Sequence, residues 1–391
     1  MDAPRVGRLR ENTSVSKPKL ALVMTTIGEG ALLEDYCRQA EAEGWRDSLR
    51  LIVIPDKKTP PELYRRSKDL AQAGFDIHCP ALDNQEAFLA RLGGIERLIP
   101  YNTDNRRNVG YLMALEWGAE GVISLDDDNY CIPGSSLFDE YAVVCAGEQT
   151  LPSVHSADGW YNICELIKFE PNYRVYPRGY PYAHRHKDAE VERRGETGLV
   201  RLNAGLWLEH PDCDGITWLA APVRGVDWNR QSILLGQTTW TPINTQNTSL
   251  HRDVVASYYF VRMGYKLAGL SIDRYGDIFS GYFAQACVRH MGHRIRVGTP
   301  VARHDRNTHN YLKDATNELA CIWVLEDLLP WLVELKLEGS SYAETYLCLA
   351  DMLEDQVERF SGFIWTDATR GYLHSMAYCM RQWIAACNTI G

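Results

Sequence analysis

Short apolar runs alternate with amphipathic stretches in the N-terminal third of the chain, which has 391 residues. The runs Lys19–Thr26, Ser48–Pro55 and Gly121–Leu125 are typical of buried strands. Between the first two, Glu29–Gly44 has apolar residues at helical spacing, and Pro61–Gly74 repeats that pattern after the second. Strands that alternate with helices indicate an α/β fold with a doubly wound, mostly parallel sheet.

The run Gly121–Leu125 leads directly into three carboxylates, Asp126, Asp127 and Asp128. Alternation along an extended chain predicts Asp126 and Asp128 on one face, with Asp127 turned away. Two like charges on one face favour a bound Mg²⁺ or Mn²⁺, which shares its remaining sites with water and phosphates. Because open α/β sheets bind ligands at the carboxyl ends of strands, the triplet predicts a metal that holds a diphosphate. The alternative is a plain solvated turn or helix cap.

Two further features bear on the ligand. Arg106 and Arg107 begin the helix Asn105–Gly118, where they could pair with phosphate oxygens or form a solvated helix end. The turn Gly28–Gly30 lacks the third glycine of a dinucleotide fingerprint, because Leu33 stands there. The sequence therefore predicts neither an NAD nor a flavin site.

Composition narrows the class of partner and the compartment. The formal net charge is −10 and there is no long run of Lys or Arg, which argues against nucleic acid and anionic membranes. The N-terminus has no apolar signal segment, and no apolar run reaches membrane-spanning length. The eleven cysteines are scattered without a CxxC pair, which indicates reduced thiols in a cytoplasmic protein.

The chain divides into three predicted parts: a mobile tail over residues 1–18, a catalytic domain over 19–320 and a helical region over 321–391. The helical region is expected to pack on the catalytic domain or to form a homodimer. Residues 151–298 are irregular and rich in aromatic residues, which suits sugar recognition. Taken one at a time, its tryptophans are better explained as core residues; they include Trp207, Trp218 and Trp240.

Several motifs occur in an order that resembles the plant reversibly glycosylated polypeptides, the UDP-arabinopyranose mutase family. They are RRNVGY (106–111), the Asp triplet, RGYPYAHR (178–185), GLWLEHPDCD (205–214), TPINTQNTSLHRD (241–253), RYGDIFSGY (274–282) and GTPVARH (298–304) followed by LKD (312–314). The likeness spans roughly residues 20–330 by eye. The C-terminal region differs from the plant proteins, so the chain looks like a bacterial relative that supplies a furanosyl donor to antibiotic or glycan biosynthesis.

The resemblance implies a GT-A glycosyltransferase-like fold and a flavin-independent, metal-dependent enzyme. Such an enzyme interconverts the pyranose and furanose forms of a nucleotide sugar, linked to UDP or GDP. The metal ligands map onto Asp126 and Asp128, with His304 as the third, and the family's glycosylated arginine maps onto Arg178, with Arg185 as the second arginine of that motif. The family's paired carboxylates fall on Gly276 and Asp277, so one is absent here. The predicted nucleotide- and sugar-binding residues are Thr25, Thr26, Asp56, Arg106, Arg107, Asp127 and Asn247.

The mechanism expected from this resemblance is ionisation of the anomeric C–O bond, ring closure through the 4-hydroxyl and recapture of C1 by the diphosphate. Asp277 is the first candidate for proton transfer, ahead of Asp253 and Asp273, and His251 could hold a sugar hydroxyl. A protonated guanidinium is a poor nucleophile, so a binding role suits Arg178 better than a covalent one. A glycosyltransferase with a separate acceptor and a non-catalytic sugar-nucleotide-binding protein are the competing interpretations.

Overall fold

The computed structural model describes residues 16–306 and 309–391, so the predicted mobile tail lies almost wholly outside the described residues. The helices are α1 (Leu32–Ala42), α2 (Pro61–Gln72), α3 (Leu82–Ala90), α4 (Arg107–Trp117), α5 (Phe138–Tyr141), α6 (Gly215–Ala220), α7 (Gly276–His290), α8 (Tyr311–Val333), α9 (Tyr342–Val357) and α10 (Asp367–Ile390). The strands are β1 (Leu20–Thr26), β2 (Leu49–Pro55), β3 (Asp76–His78), β4 (Gly121–Leu125), β5 (Asn129–Tyr130), β6 (Gln149–Ser156), β7 (Ile167–Glu170), β8 (Val191–Gly198), β9 (Val200–Glu209), β10 (Arg224–Trp228), β11 (Ile233–Leu235), β12 (Asn247–His251), β13 (Lys266–Leu267), β14 (Leu270–Ser271) and β15 (Arg294–His304).

The first part of the main sheet is parallel, in the order β3-β2-β1-β4. Strand β1 pairs with β2 along one edge and with β4 along the other, so it is a central strand. Its residues are almost all buried, and most of them are apolar. Helix α1 buries one apolar stripe, which includes Leu33, Tyr36 and Ala40, and leaves the opposite side polar. The α/β class and the order of elements in this part confirm the sequence prediction. Because β1, β2 and β4 run parallel, their carboxyl ends lie at the same edge of the sheet.

Beyond β4 the sheet is mixed and continues in the order β12-β9-β15-β11-β6-β8. Strand β12 runs antiparallel to both β4 and β9, whereas β15 runs parallel to β9. Much of the segment predicted as irregular therefore forms strands and the helix α7. The local pattern hid β12 because its buried residues include Asn247, Thr248 and Ser249, whose polar groups bond inside the protein.

Trp207, Trp218 and Trp240 belong to the hydrophobic core and are buried. None of them lines the cavity described below. The interpretation of these residues as core, and not as sugar-stacking platforms, therefore holds.

The C-terminal helices pack on the sheet domain. The Trp383 indole on α10 donates to the Val255 carbonyl at 2.9 Å, and the Tyr372 hydroxyl donates to the Arg262 carbonyl at 3.1 Å. The predicted boundary at residue 321 falls inside α8, which begins at Tyr311 and joins both regions. None of the described helices is both long and apolar enough to span a lipid bilayer. The homodimer through these helices stays a prediction.

Candidate functional site

A cavity of about 570 Å³ lies at the carboxyl ends of β1, β2 and β4. Its walls come from the ends of these strands, from the start of α4, from the start of α7 and from the end of β15. The charged residues that line it are Asp56, Lys58, Asp104, Arg106, Arg107, Asp126, Asp127, Asp128, Arg178, Asp212, Asp273, Arg274, Asp277, His304, Arg306 and His309. Eight carboxylates thus share the lining with six Lys or Arg side chains and two histidines, so the cavity is strongly polar.

All three residues of the Asp triplet line the cavity, and each has its own partner. Strand β4 ends at Leu125, so the expected alternation that turned Asp127 away was wrong. The carboxylate of Asp126 pairs with Arg107 at 2.5 Å, and that of Asp127 accepts from the Thr26 hydroxyl at 2.5 Å. Burial raises the pKa of Asp127 even though this hydroxyl opposes the shift. The triplet therefore forms a turn in the cavity wall whose carboxylates are engaged by protein partners, and it is not a simple pair of facing carboxylates.

Asp128 faces His304, with 3.3 Å between Oδ2 and Nε2. The Nδ1 atom of His304 lies 2.5 Å from the His210 carbonyl oxygen, which fixes the ring and directs Nε2 toward Asp128. Burial alone lowers the pKa of His304, but the hydrogen bond and charge of Asp128 outweigh it and raise the pKa. Within residues 16–306 and 309–391, no three His, Cys, Asp or Glu side chains are close enough to hold a metal by themselves.

The donor set of Asp128 and His304 fits a divalent cation that takes its other ligands from a diphosphate and water. One carboxylate oxygen and one imidazole nitrogen point at each other, and the second ring nitrogen is held by a backbone carbonyl, as in many metal-bound histidines. The other predicted ligand, Asp126, has one carboxylate oxygen paired with Arg107 in this arrangement. A role for Asp126 as a ligand stays a prediction.

Arg106 and Arg107 are both buried, so neither forms a solvated helix end. The Arg107 guanidinium also donates to the Ser124 hydroxyl at 3.0 Å and to the Thr245 carbonyl at 2.9 Å. The Arg106 guanidinium lies over the Tyr101 ring, 4.2 Å from its centroid. Protein atoms thus hold both arginines, and Arg107 fixes the Asp126 carboxylate at the cavity wall.

Arg178 is buried between two carboxylates. Its guanidinium forms two hydrogen bonds to Asp212, at 2.8 and 3.0 Å, and two to Asp277, at 3.0 and 2.7 Å. Burial lowers the pKa of Arg178, but these carboxylates outweigh it and raise the pKa further above its usual value. Burial raises the pKa of Asp277, and Arg178 only partly offsets that rise. Arg178 is therefore a fixed cation and Asp277 is a paired carboxylate, not a free base.

Gly276 begins α7 beside Asp277 and lines the cavity. A Cβ atom at this position would lie 2.3 Å from the Val261 carbonyl oxygen and 2.7 Å from the Phe260 ring. The missing carboxylate of the family motif thus has no room here unless the backbone moves.

Four predicted residues lie outside the cavity lining. Asn247 is fully buried and bonds to Tyr141, Leu206 and Pro300, and Arg185 pairs with Asp214 at 2.5 Å. His251 pairs with Gly121 at the start of β4, which is the opposite end of that strand from the triplet. Asp253 follows His251 and has an exposed side chain, so Asp253 and His251 are removed from the candidate site. Asn247 and Arg185 hold the surrounding structure.

The edge of the cavity that was predicted to receive the nucleotide is formed by the ends of β1 and β2. Thr25, Thr26 and Asp56 lie there as predicted, and all three line the cavity. The Asp56 carboxylate accepts from two backbone amides, those of Lys57 at 2.6 Å and Asn102 at 2.5 Å. Its main structural role is therefore to fix the loop that carries Asn102.

Sequence reasoning missed six charged residues of the cavity wall. Asp212 and Arg274 lie inside the motifs GLWLEHPDCD and RYGDIFSGY, so their position in those motifs could have marked them as site residues. The others had no local signal, because only the tertiary fold brings them to this edge; they are Lys58, Asp104, Arg306 and His309.

The fold and the cavity define an α/β protein with a polar ligand site at the carboxyl edge of parallel strands. The sequence profile described as reversibly glycosylated polypeptide matches residues 41–391, and the chain belongs to that family. Relatives include UDP-arabinopyranose mutase 3 of Arabidopsis thaliana, which is 26% identical over 364 residues that cover 91% of this chain and 90% of that protein. UDP-arabinopyranose mutase 1 of Oryza sativa subsp. japonica is 23% identical over 386 residues that cover 97% of this chain and 93% of that protein.

Solved structures with a similar arrangement include glucosyl-3-phosphoglycerate synthase from Mycobacterium tuberculosis. It is 11% identical, with a TM-score of 0.41 and coverage of 79% of this chain and 81% of that chain. Mannosyl-3-phosphoglycerate synthase from Rubrobacter xylanophilus is 9% identical, with a TM-score of 0.37 and coverage of 83% and 78%. These scores are low, and the likeness to both structures is loose.

Proposed function

We propose that the protein is a flavin-independent, divalent-metal-dependent mutase that interconverts the pyranose and furanose forms of a nucleotide-diphosphate sugar. The observation that carries the proposal is the position of the Asp triplet. It ends a central strand at the carboxyl edge of the sheet and opens into a cavity that also holds buried arginines. The relatives named UDP-arabinopyranose mutase make UDP the first nucleotide to test, and GDP the second.

The cavity suits such a ligand in size and charge. Its volume lies within the range of roughly 300–1,000 Å³ usual for small-molecule sites. The edge at Thr25, Thr26 and Asp56 offers the place for the base and ribose, and Ile27 beside it is an exposed apolar side chain that could contact the base. At the other side, Arg178, Arg274 and the paired carboxylates offer a polar wall for the sugar.

Asp128 and His304 are the residues that would hold a Mn²⁺ or Mg²⁺ ion, with diphosphate oxygens and water as its other ligands. The ion would supply positive charge to the diphosphate and so make it a better leaving group. Arg107 keeps Asp126 in place beside it, and Arg178 stays protonated between Asp212 and Asp277. Because its nitrogens are engaged and charged, Arg178 orients and binds and is not the nucleophile.

The test uses purified protein with Mn²⁺ and a panel of UDP- and GDP-linked pyranoses, without any acceptor. A new isomer of the same mass, separated by chromatography and identified as the furanose by NMR, is expected. Asp128→Ala should abolish this conversion, and Asp253→Asn, at the far end of the sheet, should leave it unchanged. Conversion that survives complete chelation would refute metal dependence.

Two other results would replace the proposal. Turnover that begins only when an alcohol acceptor is added would make the protein a glycosyltransferase. Binding of UDP without any turnover of the panel would make it a sugar-nucleotide-binding protein. Thermal shift with UDP and with GDP gives the base preference independently of turnover.

A further inference from the structure

Asp104 stands apart from the other carboxylates of the cavity. Each of the other carboxylates that line the cavity accepts a hydrogen bond. For five of them the donor is a side chain: Arg107 for Asp126, Thr26 for Asp127, His304 for Asp128, and Arg178 for both Asp212 and Asp277. Asp56 and Asp273 accept from backbone amides. For Asp104, the part of the chain that the structure describes provides neither a hydrogen bond nor an ion pair to the carboxylate.

The local fold presents this carboxylate to the cavity. Asp104 begins the short 3₁₀ turn Asp104–Arg106 that runs directly into α4, and its side chain remains accessible within the cavity. Charged groups from three parts of the fold influence its ionisation: Arg107 on α4, Asp126 after β4, and Asp273 and Asp277 around the start of α7. All four line the same cavity as Asp104.

We propose that Asp104 is the catalytic residue that accepts and returns the proton during the pyranose–furanose conversion. This inference rests on the proposed mutase function and goes beyond it by assigning the proton-transfer group. The family motif offers Asp277 for that task, but Arg178 already holds both Asp277 oxygens. Among the described residues, Asp104 is the cavity carboxylate that accepts no hydrogen bond, so both of its oxygens are free to meet a bound sugar.

The chemistry balances with one carboxylate and no added reactant. In the first step, the sugar O4–H attacks C1, so that the O4–C1 bond forms, the C1–O bond to the diphosphate breaks with its electron pair, and the proton passes to Asp104. In the second step, a diphosphate oxygen attacks C1 of this bicyclic acetal, the C1–O5 bond breaks, and O5 takes the proton back from Asp104. The product is the furanose, and both the diphosphate and the carboxylate return to their starting states.

The ionisation of Asp104 is consistent with this double role. Asp104 is open to the cavity, but the protein atoms around the cavity desolvate its carboxylate and raise its pKa to about 6, with Asp126, Asp273 and Asp277 adding to the rise and Arg107 opposing it. A group whose pKa lies near the working pH accepts a proton and gives it back without a large penalty in either direction. Free enzyme must begin ionised, so kcat/KM should fall by about tenfold per pH unit below about pH 6.

The test compares Asp104→Asn and Asp104→Glu with wild type and with Asp253→Asn as the matched control. The assay is conversion of UDP- and GDP-linked pyranoses without acceptor, together with calorimetric binding of UDP in Mn²⁺. We expect Asp104→Asn to lower kcat by about 10²- to 10⁴-fold, with UDP affinity changed less than about threefold. Asp104→Glu should recover part of the rate and keep an acidic limb in its pH profile, which Asp104→Asn should lose.

The outcomes separate this inference from the proposed function. If wild type converts a sugar nucleotide and Asp104→Asn converts it within about tenfold of that rate, Asp104 is not the proton-transfer group, although the mutase proposal stands. If Asp104→Asn loses UDP binding together with turnover, the residue has a structural role and the inference is overturned. If wild type binds UDP but converts no member of the panel, both proposals fail.

Discussion

Replacement of Arg178 by methionine tests the buried charge arrangement of the cavity. Methionine keeps much of the side-chain volume but leaves Asp212 and Asp277 without the guanidinium that bonds to both. Removing one partner of a buried ion pair destabilises a protein by about 3–5 kcal/mol, because the remaining charge is buried without compensation. Some contacts survive, since Asn244 still donates to Asp212 and the Ile278 amide still donates to Asp277. We therefore expect a loss near the middle of that range, about 4 kcal/mol at pH 8.

The pH dependence of this loss has a definite sign. Without Arg178, the folded-state pKa of Asp277, which burial already raises, rises further above the unfolded value of about 4. The pKa of Asp212 also rises, although Asn244 and Arg306 still oppose the effect of burial there. A raised pKa of a carboxyl group destabilises the fold at a pH above the folded pKa, and this penalty disappears as the pH falls to the unfolded pKa. Each such carboxylate changes the free energy of unfolding by about 1.4 kcal/mol per pH unit inside that window. The loss at pH 5 should therefore be smaller than at pH 8 by at least about 1.4 kcal/mol.

Urea unfolding at both pH values, followed by tryptophan fluorescence and far-UV circular dichroism, measures the effect. Arg65→Met is the control, because Arg65 is largely exposed and pairs with Glu62 on the same helix. Its loss should be much smaller than that of Arg178→Met at either pH, because an exposed ion pair contributes little to stability. A loss for Arg178→Met that is no larger than that of the control, or that does not shrink at pH 5, would refute the buried arrangement.

Three further predictions follow from the site and the fold. Asp128→Ala and His304→Ala should each weaken UDP binding in Mn²⁺ by at least about tenfold and leave metal-free binding unchanged. Calorimetry with and without a chelator measures this, and an equal loss of UDP affinity under both conditions would contradict the role of these residues as metal ligands. Gly276→Asp, which restores the family's second carboxylate, should destabilise the protein by about 1–3 kcal/mol because its Cβ meets the Val261 carbonyl; an unchanged melting temperature would show that the loop yields. Trp383→Ala should cost about 3–5 kcal/mol in urea unfolding, since this fully buried side chain joins α10 to the sheet domain; independent unfolding of the C-terminal helices would oppose that view.

Local sequence patterns predicted the parallel half of the sheet, because its strands are apolar on both faces and its helices carry a clear stripe. The predicted strand Ser48–Pro55 and the observed Leu49–Pro55 differ by one residue. The same reasoning failed at β12, where Asn247, Thr248 and Ser249 are buried and bonded within the protein. Composition cannot distinguish such a strand from a loop, since the partners that satisfy its polar groups lie far away in sequence.

The candidate site was predictable where its residues are adjacent in sequence and not where the fold assembles them. The Asp triplet is contiguous, so a short pattern predicted its position at a strand end. Asp253 and Asp277 are the same residue type in neighbouring motifs, yet β12 carries Asp253 to the far end of the sheet and α7 brings Asp277 to the cavity. Only the direction of these elements separates them, and no local pattern records that direction.

The residues at positions 276 and 277 bear on which group transfers the proton, because Gly276 has no carboxylate and the carboxylate of Asp277 is already paired. A family pair of acids at these positions could divide binding and proton transfer between them. Here the first is replaced by a glycine that packs against a carbonyl, and the second is fixed by Arg178. A sugar that closes through its 4-hydroxyl still releases a proton, so another cavity group must take it. Asp104 lines the same cavity as Asp126 and Asp277, is accessible there, and has a pKa raised to about 6, which makes it the group that the charge arrangement leaves available.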